Sequence, residues 1–372
     1  MSEGPRPAPA IAALPASRPF VAPEELALRA GHESLLRLGA NESAFGPPPA
    51  ALEAMQADLA TIAWYGDPES NLLRAALAVR HACAAENIAV GAGSDDLMGL
   101  CVRGYLAPGE VSVCAAGTYP TYAYHVTGYG GQLETVAYEE DGRVPLEKLA
   151  AAARHHGAKV AYLANPDNPS GSFAGRAAVE AFRAALPSET LLVLDEAYAD
   201  FVEPHELLPD QIDPGIVRLR TFSKAYGLAG ARVGYALAAP DVIATFSKIR
   251  LQYGVGRLSQ SGALAALEAI EFVAGVVREV ARGRDEYHAL GKRLGLATLP
   301  SLTNFVCFDL GSRARAETLV DDLLRRAVFV RKPGAPPLDR FVRVTVGTQA
   351  ERERFAGIFA AALEGLTVRA LV

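Results

Sequence analysis

The stretch VRLRTFSKAYGLAGARVG occupies Val217–Gly234. A short apolar run stops, a glycine-rich turn begins, and Lys224 stands at the junction. A lysine on a loop is ordinarily a solvated charge. The same arrangement recurs upstream, and that recurrence decides the fold. Helical stretches such as Asn71–Glu86 alternate with short apolar runs at Ile88–Val90, Val111–Cys114, Val160–Leu163, Leu191–Leu194 and Val217–Leu219. Short buried strands separated by helices predict an α/β fold, a mostly parallel sheet sandwiched by helices. Ligands of such sheets bind outside the carboxyl ends of the strands.

Polar groups gather after each of these runs. Gly91-Ala92-Gly93-Ser94-Asp95-Asp96 follows the first and Gly117-Thr118-Tyr119-Pro120 the second. Asn165-Pro166-Asp167-Asn168-Pro169-Ser170-Gly171 follows the third, Asp195-Glu196-Ala197-Tyr198 the fourth, and the Lys224 segment the last. A long helical stretch near Leu258–Leu294 then leads to a second αβ region, with strands expected at Asn304–Leu310, Val328–Arg331 and Phe341–Val346. The reading is an N-terminal arm over 1–40, a large domain over 41–250 and a smaller C-terminal α/β domain over 251–372.

Composition narrows the function. Among 372 residues half are hydrophobic and the net charge is −6, which disfavours nucleic acid and anionic membranes as partners. No run approaches the roughly 18 apolar residues of a membrane span. The first 20 residues are broken by prolines and read as a loosely packed tail, not a signal peptide. Cys83, Cys101, Cys114 and Cys307 form no CxxC pair and read as thiols in a reducing cytoplasm. No metal site is expected; the adjacent His155 and His156 read as a solvated helix end.

Asp195 ends a Leu-Leu-Val-Leu run, so its carboxylate is buried and needs a partner. A salt bridge or a helix cap would satisfy it. So would the protonated ring nitrogen of pyridoxal phosphate, whose cationic ring is an electron sink. Lys224 lies 29 residues on, after the next strand, where a water-poor site would lower its pKa for Schiff-base chemistry. Gly93 and Ser94 open a helix directly after a strand, which presents free N–H groups to a phosphate. Asp95 reads as a cap for that helix. Ser223 and Arg232 add a hydroxyl and a guanidinium. Tyr119 is either a rim tyrosine or a flat ring for stacking on a pyridine. Asn168 and Tyr198 can both hydrogen-bond a ring oxygen, though Asn168 also sits in an Asn-Pro turn.

With these residues assembled, the chain resembles fold-type I pyridoxal-phosphate aminotransferases, and within them is most similar to the histidinol-phosphate aminotransferases. The likeness rests on GANES (Gly39–Ser43), WYGDPES (Trp64–Ser70), GAGSDD (Gly91–Asp96), TYPTY (Thr118–Tyr122), NPDNPSG (Asn165–Gly171), DEAYADF (Asp195–Phe201), TFSKAYGLAGARVGY (Thr221–Tyr235), TNF (Thr303–Phe305) and RVTVGT (Arg343–Thr348). It implies an aspartate aminotransferase-like large domain. Lys224 would carry the covalent link to the cofactor and shuttle the proton. Asp195 would pair with the ring nitrogen, Tyr198 and Asn168 would contact the ring oxygen, and Tyr119 would stack. Gly93, Ser94, the Asp95 backbone, Ser223 and Arg232 would hold the phosphate. Tyr65 would reach that phosphate from a neighbouring subunit, which implies a homodimer. Arg343 would bind the substrate's anionic end, with Asn41 and Asn165 lining the pocket and Arg331 taking a second anionic group. The donor would be L-histidinol phosphate and the acceptor a keto acid such as 2-oxoglutarate, in ping-pong order.

Two departures touch the donor. The family's N-terminal tyrosine followed by Pro-Gly-Lys-Pro is replaced by Phe20-Val21-Ala22-Pro23-Glu24-Glu25, which removes a hydrogen bond and adds negative charge. Asp167 and Ser170 stand where Asn and Thr are more usual. Aromatic amino acids are the alternative donors, and decarboxylation of threonine phosphate is a third reading. A pyridoxal-binding transcription regulator would need a helix-turn-helix domain, for which the first forty residues are too few and too proline-rich.

Overall fold

The computed structural model describes residues 4–15 and 21–369. Phe20 therefore lies outside the described residues. Eleven strands form three sheets among them: β1 (Leu36–Arg37), β2 (Ile88–Gly91), β3 (Val111–Ala115), β4 (Gln132–Val136), β5 (Val160–Ala164), β6 (Leu191–Asp195), β7 (Ile216–Thr221), β8 (Gly234–Leu237), β9 (Phe305–Asp309), β10 (Val328–Phe329) and β11 (Phe341–Thr345). The central sheet has seven strands in the order β2-β8-β7-β6-β5-β3-β4. Its ladders are parallel except the two that β8 makes with β2 and β7. All five runs expected in this sheet are strands. β4 and β8 are additions: β4 is an edge strand reading QLETV, too polar to stand out, and β8 emerges straight from the glycine-rich segment. Only a three-residue 3-10 turn, Ala229–Ala231, separates β7 from β8, and the chain turns back antiparallel instead of crossing over.

Side-chain alternation explains why helices cover both faces. In β6, Leu191 and Val193 join one core while Leu192 and Leu194 join the other. The first core is completed by the helix Ser94–Tyr105 through Leu97, Met98 and Cys101. The second is completed by Leu146–His156 and Arg176–Ala185 through Leu149, Ala153, Val179 and Phe182. With both faces covered, only the strand ends offer polar groups to a ligand.

The C-terminal region pairs β9 with β11 antiparallel, and an isolated bridge joins Arg331 to Arg343. Packing differs from the expected domain limits at both ends. β1 pairs with β10, and Leu36 and Leu38 are buried in the C-terminal core. The helix Arg257–Glu268 packs on Pro49–Asp58 and on Asn71–Arg80, in the core of the large unit. The long helical stretch is thus two helices, and the second, Ile270–Arg293, serves both units. Its Val276 and Val280 lie in the large core, its Tyr287 and Leu290 in the C-terminal one. We therefore propose that the units divide along this helix rather than at 250/251. In the N-terminal tail, Pro9–Ala12 forms one helical turn against the helix Pro120–Gly128.

One buried ion cluster anchors the strand that carries Lys224. Glu196, 2% exposed, takes Arg218 through both oxygens at 2.9 and 3.1 Å, and Arg220 at 2.8 Å. Burial opposes its ionisation, yet Arg220 and Arg218 hold its carboxyl below the ordinary value of 4.5. Truncating a member of a buried pair strands the charges left behind, at about 3–5 kcal/mol. Glu196→Ala is expected to lower unfolding stability by that amount, measured by urea denaturation, with Glu196→Gln losing less because it keeps one acceptor. Wild-type stability in both would remove this anchor.

Candidate active site

The carboxyl ends of β2, β3, β5, β6 and β7 surround a cavity of about 220 Å³ lined by Ser94, Asp95, Tyr119, Asn168, Asp195, Tyr198, Ser223, Lys224 and Arg232. It adjoins a second, of about 530 Å³, that shares Asn168, Tyr198 and Lys224 and adds Asn41, Arg331 and Arg343. Residues far apart in sequence thus meet because most follow strands of the central sheet, while Asn41 and Arg331 follow the paired strands β1 and β10 and Arg343 lies in β11.

Asp195 is the last residue of β6 and only 4% exposed. Its Oδ2 accepts from Tyr162 Oη at 2.7 Å and its Oδ1 from the Ala197 N–H at 3.0 Å. Burial pushes its pKa up to about 6, against these two hydrogen bonds. No salt bridge engages it among the described residues, so neither a salt bridge nor a helix cap accounts for it. Lys224 donates Nζ to the Asn41 carbonyl at 3.0 Å, and that nitrogen lies 5.5 Å from the Tyr198 ring centre. Burial, then Arg343, pushes the amine down to about 8 from an ordinary 10.5.

The anion corner is built from backbone. The helix Ser94–Tyr105 starts after Gly93, at φ 85°, with no side-chain cap, which leaves its first-turn N–H groups to an anion. A side chain at Gly93 would strike Arg232, its Cβ 2.5 Å from Nη2. The expected capping by Asp95 is not found. Asp96 instead takes the Ala92 N–H at 3.0 Å, and Asp95 lies 3.5 Å from Arg232. The Ser223 hydroxyl oxygen accepts from Thr221 at 2.9 Å. A phosphate fits this corner, a cationic ring nitrogen fits Asp195, and an aldehyde fits an amine whose pKa burial has lowered at Lys224.

Asn41 sits at φ 54° and is locked: its amide donates to Tyr198 Oη at 2.9 Å and its Oδ1 accepts from Thr345 at 3.0 Å. Arg343 hydrogen-bonds Asn168 Oδ1 and donates to the Gly39 carbonyl at 3.0 Å, while its Nε is buried without a partner. Asn165 is not brought to the pocket. Its amide exchanges two 2.8 Å hydrogen bonds with the Ala174 backbone and so closes the loop. Tyr65 lies on the exposed surface, its ring 4.4 Å from that of Tyr253. The two glutamates expected to weaken the anion site lie elsewhere, Glu24 paired with Arg37 and Glu25 with Arg29. Tyr162, Thr345, Asn304 and Phe305 were missed. Asn304 donates to the Asn41 carbonyl at 3.1 Å, and Phe305 lies 5.2 Å under the Arg343 guanidinium. For Tyr162 the signal was a tyrosine inside the otherwise aliphatic strand VAYLA; the other three stand in the TNF and RVTVGT stretches, where no role was drawn from them.

Comparison with known proteins agrees with this geometry. The family described as aminotransferase class I and II matches residues 33–359. The chain belongs to that family. Over 354 residues it is 37% identical to a histidinol-phosphate aminotransferase of Roseiflexus castenholzii, covering 93% of this chain and 95% of the relative. It is 36% identical to histidinol-phosphate aminotransferase 2 of Pseudomonas aeruginosa, covering 89% and 90%. A crystal structure of histidinol-phosphate aminotransferase from Sinorhizobium meliloti in complex with pyridoxal-5'-phosphate superposes with a TM-score of 0.94 at 42% identity, covering 98% of this chain and 99% of that one. The fold is aspartate aminotransferase-like, and the protein is a pyridoxal-phosphate-dependent aminotransferase acting on an amine donor and a keto-acid acceptor.

The depressed Lys224 pKa has a direct consequence. In cofactor-free protein its reaction with an amine-selective reagent is expected to rise with pH around a midpoint near 8, where surface lysines are still protonated. Peptide mapping against pH checks this; a midpoint near 10.5 would show a solvated amine.

Proposed function

We propose that this aminotransferase takes its amino group from L-histidinol phosphate and delivers it to 2-oxoglutarate, in ping-pong order. What carries the reading is the pair of cations, Arg331 and Arg343, that lines the larger cavity next to Lys224. A donor with an anionic group remote from its amine suits that pair, and so do the two carboxylates of 2-oxoglutarate. The names of the relatives at about 35% identity point to the same donor.

Pyridoxal phosphate, when bound, supplies the cationic ring that takes up the electron pair left as the donor's α-proton departs. Lys224 Nζ is the nucleophile and then the carrier of that proton; burial brings its pKa down to about 8, so it gives up its proton far more readily than an ordinary lysine. Asp195 Oδ holds the proton on the ring nitrogen; that cation answers the burial which otherwise raises the carboxyl. Tyr119 stacks on the ring, and Tyr198 Oη and Asn168 hydrogen-bond its oxygen. Gly93, Ser94, the Asp95 backbone, Ser223 and Arg232 hold the phosphate. Arg343 and Arg331 orient the donor, with Asn41 fixed beside them. The carbonyl product leaves before 2-oxoglutarate enters the same cavity.

Aromatic amino acids are the competing donors, since their carboxylate suits Arg343 equally well. The N-terminal segment reaches the far anion site, where the Val21 carbonyl lies 3.5 Å from Arg331 Nη2. Decarboxylation of threonine phosphate would use the same arginines. A panel of L-histidinol phosphate, phenylalanine, tyrosine and threonine phosphate with 2-oxoglutarate decides among them. The expected order places histidinol phosphate first in kcat/KM, and Arg343→Ala raises its KM roughly 10- to 100-fold with little change in cofactor affinity. A preference for phenylalanine or tyrosine would replace the donor assigned here.

We also propose a homodimer in which Tyr65 reaches the partner's phosphate corner. Trp64, Tyr65, Leu251 and Tyr253 are all more than half exposed, an apolar surface suited to a second copy. Among the described residues no helix is long and apolar enough to cross a membrane, and the four cysteines are unpaired, which supports a cytoplasmic setting. Sedimentation is expected to give a dimer, and Tyr65→Phe to weaken pyridoxal phosphate binding without dissociating it. A monomer with full cofactor affinity would exclude this arrangement.

A further inference from the structure

The reaction above makes no use of Asp167, although its neighbours Pro166, Asn168 and Pro169 line the two cavities. Its own carboxyl turns inward and is 1% exposed. There Oδ2 accepts from the Ser170 N–H at 3.0 Å, the Ser170 hydroxyl at 2.7 Å and Tyr138 Oη at 3.1 Å. Oδ1 faces the same Tyr138 hydroxyl at 3.1 Å and Thr118 Oγ1 at 3.4 Å. Tyr138 follows β4, Thr118 follows β3 and Ser170 lies in the loop after β5. One carboxylate therefore ties together the loops that leave three neighbouring strands.

The donors around Asp167 are matched to an ionised acid. A carboxylate only accepts, and each group that meets it can donate. An amide in its place would lose the charge and one accepting oxygen, and Tyr138 and Thr118 would have to accept where they now donate. Among the described residues no cation is hydrogen-bonded to it, and burial pushes its pKa up to about 6. A brace for the fold alone could be apolar at lower cost. What the carboxylate adds is position: Thr118 immediately precedes Tyr119, and Asp167 immediately precedes Asn168. Tyr119 and Asn168 both line the smaller cavity.

We infer that Asp167 is a positioning residue, whose bonds to Thr118, Tyr138 and Ser170 set Tyr119 and Asn168 to grip the cofactor ring. The inference rests on the proposed contacts of Tyr119 and Asn168 with that ring.

The test compares holoenzymes of the wild type, Asp167→Asn, Asp167→Ala, Tyr138→Phe and Asn168→Ala. The readouts are the visible absorption band of bound pyridoxal phosphate, its dissociation constant, and the melting temperature of cofactor-free protein. Asp167→Ala is expected to shift the band in the direction given by Asn168→Ala and to weaken cofactor binding about tenfold, the loss of hydrogen bonds to a charged group. Asp167→Asn, nearly isosteric and safe for folding, falls between wild type and Ala, and Tyr138→Phe shows a smaller change of the same sign. Wild-type band and affinity in every Asp167 variant, with Asn168→Ala altering both, would overturn the inference and leave the site assignment standing. An unaltered Asn168→Ala would instead overturn the assignment of Asn168, and the inference with it.

Discussion

Burial drives the acid and the amine of this site in opposite directions. Removing water disfavours the charged form of each group, so Asp195 rises to about 6 while Lys224 falls to about 8. They do not neutralise each other by direct bonding: Lys224 donates to the Asn41 carbonyl, and Asp195 accepts from Tyr162 and Ala197. A carboxylate short of a cation and an amine that yields its proton more readily than usual are thus held at the ends of adjacent strands. A ring with a cationic nitrogen at one end and an aldehyde at its side meets both needs together. That is the physical content of pyridoxal phosphate specificity here, and the remaining contacts orient what these two groups select.

The sheet makes the pairing possible. β6 and β7 run parallel with Asp195 opposite Leu219, so the loops leaving them open on one side. Glu196 bolts the same two strands together through Arg218 and Arg220, one residue beyond the acid. The backbone carries cost at the same place. Asn41 and Arg232 hold left-handed conformations, φ 54° and 52°, each worth about 1–2 kcal/mol in a residue other than glycine. Hydrogen bonds to Tyr198 and from Thr345 and Asn304 surround Asn41, so the fold over-determines its left-handed conformation.

The parts legible in sequence were those carried by local pattern. Five buried runs became strands, and the polar residues after them became the rim of one cavity, because strand ends in a parallel sheet converge whatever the loops do. β4 escaped because an edge strand alternates polar residues and needs little apolar character. Asn165 was misassigned for a different reason: an asparagine in a proline-rich loop reads equally as a ligand contact or as a side chain closing its own turn, and only the Ala174 bonds decide. Asp95 and Asp96 are adjacent, so the choice of which binds the backbone depended on helix phase. Tyr162 and Thr345 act through neighbours distant in sequence, which periodicity cannot reveal.

The two units divide the chemical labour. Lys224 and Asp195 belong to the large sheet, whereas Arg343 lies in β11 and Arg331 bridges to it, both outside that sheet. On the roles proposed for these residues, a donor would place its reacting amine against one unit and its anionic group against the other. The span is held by Arg343 bonding Asn168 and Gly39, and by the helix Ile270–Arg293, whose two halves lie in different cores. The Arg343 guanidinium hydrogen-bonds the asparagine proposed to touch the ring. Engaging the substrate's charge would release Asn168 to the cofactor, which couples recognition of the remote anion to preparation of the reacting end.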